Sequence, residues 1–360
     1  MSENIYIRRQ EKLKSVLGKI NLDGIIITNP TSIRYISGFT GSSATCLVLE
    51  NKQYFISDGR YDLQSKKQVE GFEIIIGKDP HIEILKAQKN MIPAGVRVGF
   101  EGEYLTVVLL KKMKTIFPSV NWESTSMILE NLQAVKDASE IDALRTAVAV
   151  TDEIYSQVLP LIKTGVTEKF IANALASRYR EQADGEAYAP IVAAGPNGAL
   201  PHAVPTDRPF EKGDFIVIDA AAKIGGYHAD MTRTPVLGPP SDKQRKIYEL
   251  VKKSQQAGLD ASRAGKACKE IDSVTRAVIT EGGYGLHFNH GTGHGIGLEI
   301  HTQPRLGKLG DHILEVNNVV TIEPGIYLEG WGGVRIEDDI IITESGCEVL
   351  NKTTKELVIL

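Results

Sequence analysis

The first third of the chain alternates helical stretches with short runs that are almost wholly apolar. Runs of this length, bounded by polar or glycine residues, are typical of strands buried in an α/β sheet. The predicted strands are Gly24–Thr28, Thr45–Glu50, Gln53–Asp58, Phe72–Gly77 and Arg97–Gly102. The pattern therefore predicts an α/β domain over residues 1–130.

A continuous helical pattern follows over residues 131–162, and Ser139 is its predicted N-cap because apolar residues at helical spacing begin just after it. We interpret this helix as the join to a second domain, residues 131–360. From about Thr167 the chain changes to two helices followed by hairpins with glycine-rich turns, which predicts an α+β domain. Every polar cluster with chemical character lies in this second domain.

One predicted hairpin spans residues 215–234, where an apolar strand runs into a glycine-containing turn and returns. With the turn centred between Ile224 and Gly225, Asp219 faces Asp230. Directly opposed residues have Cβ atoms about 5 Å apart, so two carboxylates there repel unless a cation lies between them. This hairpin therefore predicts a cation site.

A second predicted hairpin spans residues 319–343 and turns around Gly330, which sets Glu323 opposite Glu337. An unpaired charge within an apolar strand is costly. For either hairpin alone, an edge strand with solvated side chains would explain the carboxylates. Two hairpins with the same feature favour one shared cation site.

Residues 287–301 hold four of the eight histidines, interleaved with glycines that let the backbone approach its neighbours closely. The four are His287, His290, His294 and His301. One histidine among four carboxylates favours Mn²⁺, Fe²⁺ or Co²⁺ over structural Zn²⁺. The alternative is a flexible loop or a phosphate cradle, although no P-loop lysine and no strand-GxGxxG-helix context accompanies the segment.

Composition narrows the class of protein. The 360 residues carry 41 basic and 45 acidic side chains, a formal net charge of −4, so no broad basic field would attract nucleic acid or anionic lipid. No apolar run approaches the roughly 18 residues of a membrane span, and the charged N-terminus does not resemble a signal peptide. These features predict a cytoplasmic protein that binds neither nucleic acid nor membrane. The three distant cysteines predict neither disulfides nor a zinc-thiolate site.

Taken together, nearly the whole chain resembles the pita-bread metallopeptidases, the family of methionine aminopeptidase, aminopeptidase P and prolidase. The segments 33–41 (IRYISGFTG) and 58–61 (DGRY) resemble the creatinase-type, ribonuclease H-like N-terminal domain of prolidases, aminopeptidases P and creatinases. The resemblance implies a dinuclear metal site with ligands in the order Asp, Asp, His, Glu, Glu. The matching residues are Asp219, Asp230, His294, Glu323 and Glu337.

The resemblance also implies an activity. The family's Xaa-Pro branch cleaves the bond before a proline, either in dipeptides (prolidase) or at the N-terminus of longer peptides (aminopeptidase P). Its cofactor would be two divalent cations, with manganese favoured and cobalt, iron or zinc as alternatives. Glu323 matches the residue that shuttles a proton, His202 and His301 match catalytic positions at the proline pocket, and His290 matches a substrate-binding position.

Three further side chains have candidate roles around that site. Arg335 lies two residues before Glu337, hence on the same face of a strand, where it could orient carboxylates or substrate. Tyr327 falls on the same face as Glu323, and core packing would explain it equally well. Arg305, four residues past His301, could grip the carboxylate of a dipeptide, or it could be a solvated loop charge.

Small peptides with proline in the second position are the implied partners, and a homodimer is the expected assembly. Three alternatives remain open: a creatinase-like hydrolase, which would lack some of the metal ligands; a non-catalytic pita-bread binding protein, which would also lose ligands; and a methionine aminopeptidase, which would lack the N-terminal domain.

Overall fold

The computed structural model describes residues 4–78, 81–88 and 90–360. The chain divides into two compact units, residues 1–133 and 134–360. The boundary predicted after residue 130 falls within a short helix, Ile128–Ala134.

The first unit is built on a six-stranded mixed sheet in the order β4-β3-β2-β1-β5-β6. The strands are β1 (Gly24–Ile27), β2 (Thr45–Leu49), β3 (Gln53–Asp58), β4 (Glu73–Gly77), β5 (Arg97–Glu101) and β6 (Asn121–Thr125). β1 pairs antiparallel with β2 and parallel with β5. The five predicted strands are confirmed. β6 was not predicted because Trp122 is its only large apolar residue.

Helices lie between most of these strands along the chain, whereas β2 and β3 form a direct hairpin. The helices are α1 (Ile5–Lys19), α2 (Pro30–Ser37), α3 (Asp62–Gln68), α4 (His81–Ala87), α5 (Val107–Ile116) and α6 (Ile128–Ala134). α2 shows how local sequence sets the ends of such a helix. Asn29 caps its N-terminus, Pro30 occupies the first turn, and Gly38 ends it in a left-handed conformation at φ 79°.

The single joining helix predicted over residues 131–162 is wrong. α6 ends at Ala134, and α7 (Ala138–Val158) begins only after Asp137, whose backbone is extended at φ −85° and ψ 174°. Asp137 is the N-cap in place of Ser139, because its side chain accepts hydrogen bonds from the backbone N–H groups of Ser139 and Glu140. The Glu140 side chain in turn accepts from the Asp137 N–H, which completes a capping box.

The second unit contains two helix pairs, α7 with α8 (Glu168–Gln182) and α9 (Asp242–Ala261) with α10 (Cys268–Glu281). Its strands are β7 (Gly185–Glu186), β8 (Ile191–Ala194), β9 (Ile216–Asp219), β10 (Ala222–Ile224), β11 (Tyr227–His228), β12 (Thr232–Arg233), β13 (Gly293–Gly295), β14 (Thr302–Leu306), β15 (Val319–Ile322), β16 (Gly325–Leu328), β17 (Gly332–Arg335), β18 (Asp338–Ile342) and β19 (Cys347–Val349). They form sheets in the orders β11-β10-β7, β12-β9-β8, β14-β13-β15-β18-β19 and β16-β17. After Thr167 only α8 precedes the first hairpin, whereas two helices were predicted before the hairpins.

A glycine fixes how closely α9 approaches its neighbours. A Cβ at Gly258 would lie 2.7 Å from Cγ2 of Thr275 in α10 and 2.8 Å from Cγ2 of Ile322 in β15. Such contacts leave no room for a side chain, so α9 packs directly on both elements. β15, which leads to Glu323, is thereby backed by the α9–α10 pair.

In the described part of the chain, no helix combines the length and the apolar character needed to cross a membrane.

The capping box gives the first testable prediction. We expect Asp137→Ala to lower the free energy of unfolding by about 1 kcal/mol, because two backbone N–H groups at the start of α7 lose their acceptor. Ser139→Ala is the matched control and should cost less, since Ser139 Oγ only donates to Asp137, at 2.8 Å. Denaturant unfolding checks both variants; a larger loss for Ser139→Ala would contradict the assignment.

Candidate metal centre and active site

The first hairpin has a different register from the predicted one. Lys223 pairs with His228 and Ile224 with Tyr227, so the turn lies on Gly225 and Gly226. Both glycines have positive φ, 56° and 79°, which a two-residue hairpin turn of this type requires and which Ile224 would not readily adopt.

The opposition of Asp219 and Asp230 is therefore wrong, because Asp219 pairs with Thr232. Asp230 lies two residues before Thr232, and an offset of two keeps both side chains on one face of the strand. The two carboxylates still converge, but diagonally. Tyr188 bridges them, since its hydroxyl oxygen lies within hydrogen-bond distance of Asp219 and 2.5 Å from Oδ1 of Asp230.

The second hairpin has the predicted register, with Gly325 opposite Arg335 and Tyr327 opposite Gly333. Its ladder ends before the two glutamates, however. Glu323 follows the end of β15, and Glu337 precedes the start of β18. Each carboxylate thus stands at a break where the chain passes between the five-stranded and the two-stranded sheet.

Close backbone packing places His294. A Cβ at Gly293 would lie 1.9 Å from the carbonyl oxygen of Thr321, and one at Gly295 would lie 2.0 Å from that of Gln303. Only glycine fits on either side, so β13 is wedged between β14 and β15. His294 is the middle residue of β13, directly opposite Arg305 in β14.

The carboxylates and His294 meet in a buried cluster. His294 Nε2 lies 3.5 Å from Oδ2 of Asp230 and 3.3 Å from Oε1 of Glu323. Asp230, His294 and Glu337 each offer one possible metal-ligand atom, and these three atoms lie within 4.8 Å of one another. The cluster lines a cavity of about 310 Å³. All five residues predicted as ligands, including Asp219, line that cavity.

The electrostatics of this cluster fit a bound cation. Burial, and then the charge of Glu337, raises the pKa of Asp230 well above its ordinary value. Burial, followed by Glu337 again, raises that of Glu323. Burial and the neighbouring Asp219 raise the pKa of Glu337. Carboxyls that resist ionisation together, beside a histidine whose pKa burial lowers to about 3, form a mixed oxygen and nitrogen donor set suited to a divalent metal.

The buried guanidinium of Arg335 orients the carboxylates of the cluster. Its Nη2 lies 2.5 Å from Oδ2 of Asp219, and its Nε donates to Oγ1 of Thr232 at 2.9 Å. Oγ1 of Thr232 in turn donates to Oε2 of Glu337 at 2.6 Å. The buried guanidinium thus touches one predicted ligand directly and another through a hydroxyl, and a surface salt bridge is ruled out by its 3% exposure.

The chain of contacts continues from Arg335 to the histidines. Nη1 of Arg335 donates to the Tyr327 hydroxyl at 2.8 Å, and that hydroxyl lies 2.9 Å from Nε2 of His290. Burial, then the charge of Arg335, lowers the pKa of His290 to about 4. Tyr327 is therefore more than a packing residue, because it connects Arg335 to a histidine of the cavity wall.

The remaining predicted residues, His202, His301 and Arg305, line the same cavity. The ring of His301 packs edge-on against His294, with 4.4 Å between ring centroids. His287, which had no assigned role, does not line this cavity.

Sequence reasoning missed Tyr188 and Thr232. Tyr188 lies between β7 and β8, far from Asp219 along the chain, and no motif surrounds it. Thr232 carried a usable signal, because it lies two residues past Asp230 and hence on the same face of that strand.

A pH prediction follows for metal-free protein. The pKa of Glu337 is raised in the fold from 4.5 to about 8, so its contribution to stability is present at low pH and is lost as pH rises through about 8. We expect the thermal midpoint to fall as the pH rises through the window from 4.5 to about 8. Mn²⁺ should raise the midpoint again, by about 2–4 °C for each kcal/mol of stabilisation on binding. Differential scanning fluorimetry with EDTA or Mn²⁺ measures both effects.

Glu337→Gln is the control for that measurement. It cannot ionise, so its metal-free midpoint should depend less on pH, and Mn²⁺ should raise it less. A wild-type midpoint that Mn²⁺ leaves unchanged across the window would contradict the prediction.

Comparisons with known proteins agree with this geometry. Residues 142–344 match metallopeptidase family M24, and residues 9–135 match the creatinase/prolidase N-terminal domain. An Xaa-Pro dipeptidase from Bacillus anthracis superposes with a TM-score of 0.95 at 40% identity, covering 99% of this chain and 100% of that one. An X-Pro aminopeptidase from Thermotoga maritima gives a TM-score of 0.89 at 35% identity, covering 98% and 99%.

A sequence relative extends the comparison. An Xaa-Pro dipeptidase from Pyrococcus furiosus is 33% identical over 353 residues, which cover 97% of this chain and 99% of the relative. The predicted family and the two-part fold, a creatinase-type domain followed by a pita-bread domain, are confirmed. The chain belongs to metallopeptidase family M24.

Proposed function

We propose that this metallopeptidase is a dinuclear-metal-dependent exopeptidase that hydrolyses Xaa-Pro dipeptides. One observation carries the proposal: the five predicted ligands line a single cavity that also has His202, His301 and Arg305 in its wall. Two relatives are Xaa-Pro dipeptidases by name, which supports an Xaa-Pro dipeptide as the substrate. The sequence has a metal-binding side chain at all five ligand positions. The creatinase-like and non-catalytic alternatives, which both require the loss of ligands, are therefore disfavoured.

The metal-holding residues divide by position. Asp230 and Glu337 would lie between two cations, Asp219 would hold one of them, and His294 with Glu323 would complete the other. The mixed donor set favours manganese, with cobalt, iron or zinc as alternatives. When bound, such ions lower the pKa of water and polarise a carbonyl oxygen.

The chain's own residues would move the proton and hold the substrate. Glu323, whose pKa burial raises, is suited to take a proton from the attacking water and deliver it to the proline nitrogen that leaves. Burial lowers the pKa of His301, so its imidazole stays neutral and can donate a hydrogen bond to the reacting carbonyl. His202 would contact the proline ring from the same cavity wall.

Arg305 is the best candidate for gripping the dipeptide carboxylate. It stands opposite His294 in the β13–β14 pair, and among the described residues no carboxylate forms an ion pair with it. The residue is solvent-exposed in the cavity wall, where it is accessible to an incoming ligand. A substrate carboxylate would pair with it through two parallel hydrogen bonds.

A second candidate function is that of an aminopeptidase acting on longer peptides. A larger cavity of about 680 Å³ adjoins the metal cavity and shares Arg305, His290, Gly291 and Gly307 with it. Lys308 lines this outer cavity. Residues beyond the proline could extend into it, where Lys308 would meet a more distant carboxylate. Thermotoga maritima's X-Pro aminopeptidase, a structural neighbour, supports this alternative.

The proposal extends to the protein's location, assembly and partners. We place the protein in the cytoplasm as a homodimer acting on small peptides with proline second, without nucleic acid or membrane partners. The formal net charge of −4 supports a small-molecule substrate over a polyanion.

The assay compares Ala-Pro, Ala-Pro-Ala and Met-Ala-Ala with metal-stripped protein to which Mn²⁺ or Co²⁺ is restored. We expect Ala-Pro to be cleaved, and Asp230→Asn to lower the rate at least ~100-fold because a metal ligand loses its charge. Cleavage of the tripeptide as well or better would favour the aminopeptidase. Cleavage of Met-Ala-Ala alone would revive a methionine aminopeptidase, and no cleavage at all would end the peptidase assignment.

Arg305→Ala sharpens the same assay. We expect it to raise KM for Ala-Pro about 10- to 100-fold, the effect of losing hydrogen bonds between charged groups, with less effect on Ala-Pro-Ala. Lys308→Ala is the matched control and should leave Ala-Pro unchanged. An unaltered KM for Ala-Pro in Arg305→Ala would remove Arg305 from substrate binding.

A further inference from the structure

A fully buried carboxylate at the start of α8 takes no part in the chemistry described above. Glu168 is the first residue of that helix and is 0% exposed. Among the described residues, no lysine, arginine or histidine forms an ion pair with it. A buried carboxylate without a cation is costly unless hydrogen bonds compensate its charge.

Four donors compensate Glu168. Oε1 accepts from the backbone N–H of Ala194 at 2.7 Å. Oε2 accepts from Nδ2 of Asn197 at 2.9 Å, from the N–H of Thr206 at 2.8 Å and from Oγ1 of Thr206 at 2.6 Å. Ala194 and Thr206 are the two ends of one loop, residues 194–206, which we call the His202 loop. A single carboxylate therefore holds both ends.

The middle of the His202 loop has different supports. The carbonyl oxygen of Pro201 accepts from Nη1 of Arg335 at 3.2 Å. A Cβ at Gly333 would lie 2.0 Å from the carbonyl oxygen of Gly198, so the loop backbone rests directly on β17. Leu200 and Val204, on either side of His202, are 58% and 77% exposed. Ala203, between His202 and Val204, is buried, and the Thr206 carbonyl oxygen accepts from the N–H of Lys169 at 3.1 Å. The tip therefore has one buried side chain, and hydrogen bonds at the two ends supply further support.

We propose that Glu168 is a positioning residue that fixes the His202 loop and thereby places His202 in the cavity wall. The inference rests on the proposed function, in which His202 contacts the substrate's proline ring. All four partner atoms donate, and only a carboxylate can accept from every one of them. A glutamine would direct its NH₂ group at one or more donors and release an end of the loop.

Two substitutions test the proposal without removing bulk. Glu168→Gln changes one atom of the carboxyl, and Thr206→Val deletes the hydroxyl donor while keeping the shape of the side chain. We expect Glu168→Gln to raise KM for Ala-Pro about tenfold, as for one lost hydrogen bond to a charged group. This rise should exceed any fall in kcat. Thr206→Val should act in the same direction, and Thr206→Ser, which keeps the hydroxyl, should restore the wild-type KM.

Asp207→Ala is the local control. Asp207 neighbours Thr206, but among the described residues its carboxylate pairs with Lys169 alone. This pair lies at the surface, where the Asp207 side chain is 81% exposed, so its loss should leave KM unchanged. Hydrogen–deuterium exchange gives a readout independent of activity. In Glu168→Gln we expect faster exchange across residues 195–206 and unchanged exchange in β9 and β13, which carry Asp219 and His294.

The outcomes separate the two claims. A wild-type protein that leaves Ala-Pro intact would overturn the proposed function, and with it the role of the loop in substrate binding, whereas the exchange data would still decide whether Glu168 fixes the loop. Wild-type KM and exchange in Glu168→Gln and Thr206→Val would overturn the positioning role. So would faster exchange spread over the whole second unit, because that indicates general destabilisation.

Discussion

Repulsion among buried carboxylates is the constraint around which the second unit is organised. Asp230, Glu323 and Glu337 share one cavity, and the pKa of each is raised first by burial and then by a neighbouring carboxylate. Without a cation, such groups stay protonated or push apart. A divalent metal would remove the conflict and make the same convergence a binding site, so the feature that destabilises the metal-free fold would be the functional feature of the loaded one.

Hydrogen bonds from surrounding side chains hold those carboxylates in place. The Tyr188 hydroxyl lies between Asp219 and Asp230 within hydrogen-bond distance of both, Thr232 donates to Glu337, and Arg335 donates to Asp219. Breaks in the strands supply the rest of the geometry. Glu323 and Glu337 stand where the chain crosses between sheets, so their side chains turn into the cavity while the apolar strands on either side remain packed.

The structure brings the five predicted ligands to one cavity, and the signal that singled out the four carboxylates was chemical: charges recurring where the pattern demanded apolar residues. The sequence predicted geometry less well. The register of the first hairpin was wrong because the turn falls on Gly225–Gly226, where two positive φ values are needed. The second hairpin has the predicted register, since its glycine-rich turn is centred on Gly330.

Contacts between distant segments account for most of what sequence reasoning missed. Tyr188 reaches Asp219 across 31 residues, and Glu168 reaches Thr206 across 38. Nothing at either position differs from an ordinary helix or loop residue until the fold brings its partners together. The same holds for α7, where Asp137 and Ser139 are both good N-caps in isolation, and extended backbone at Asp137 decides between them.

Direct measurement of metal binding tests the central claim, that this cavity holds divalent cations between converging carboxylates. Metal-stripped protein would be titrated with Mn²⁺ in a calorimeter, and the loaded chain analysed for metal content, alongside Asp219→Asn and Glu337→Gln. We predict that the wild-type chain binds two ions and that each variant retains fewer. Equal metal content in wild type and both variants, or no binding by the wild type, would contradict the account.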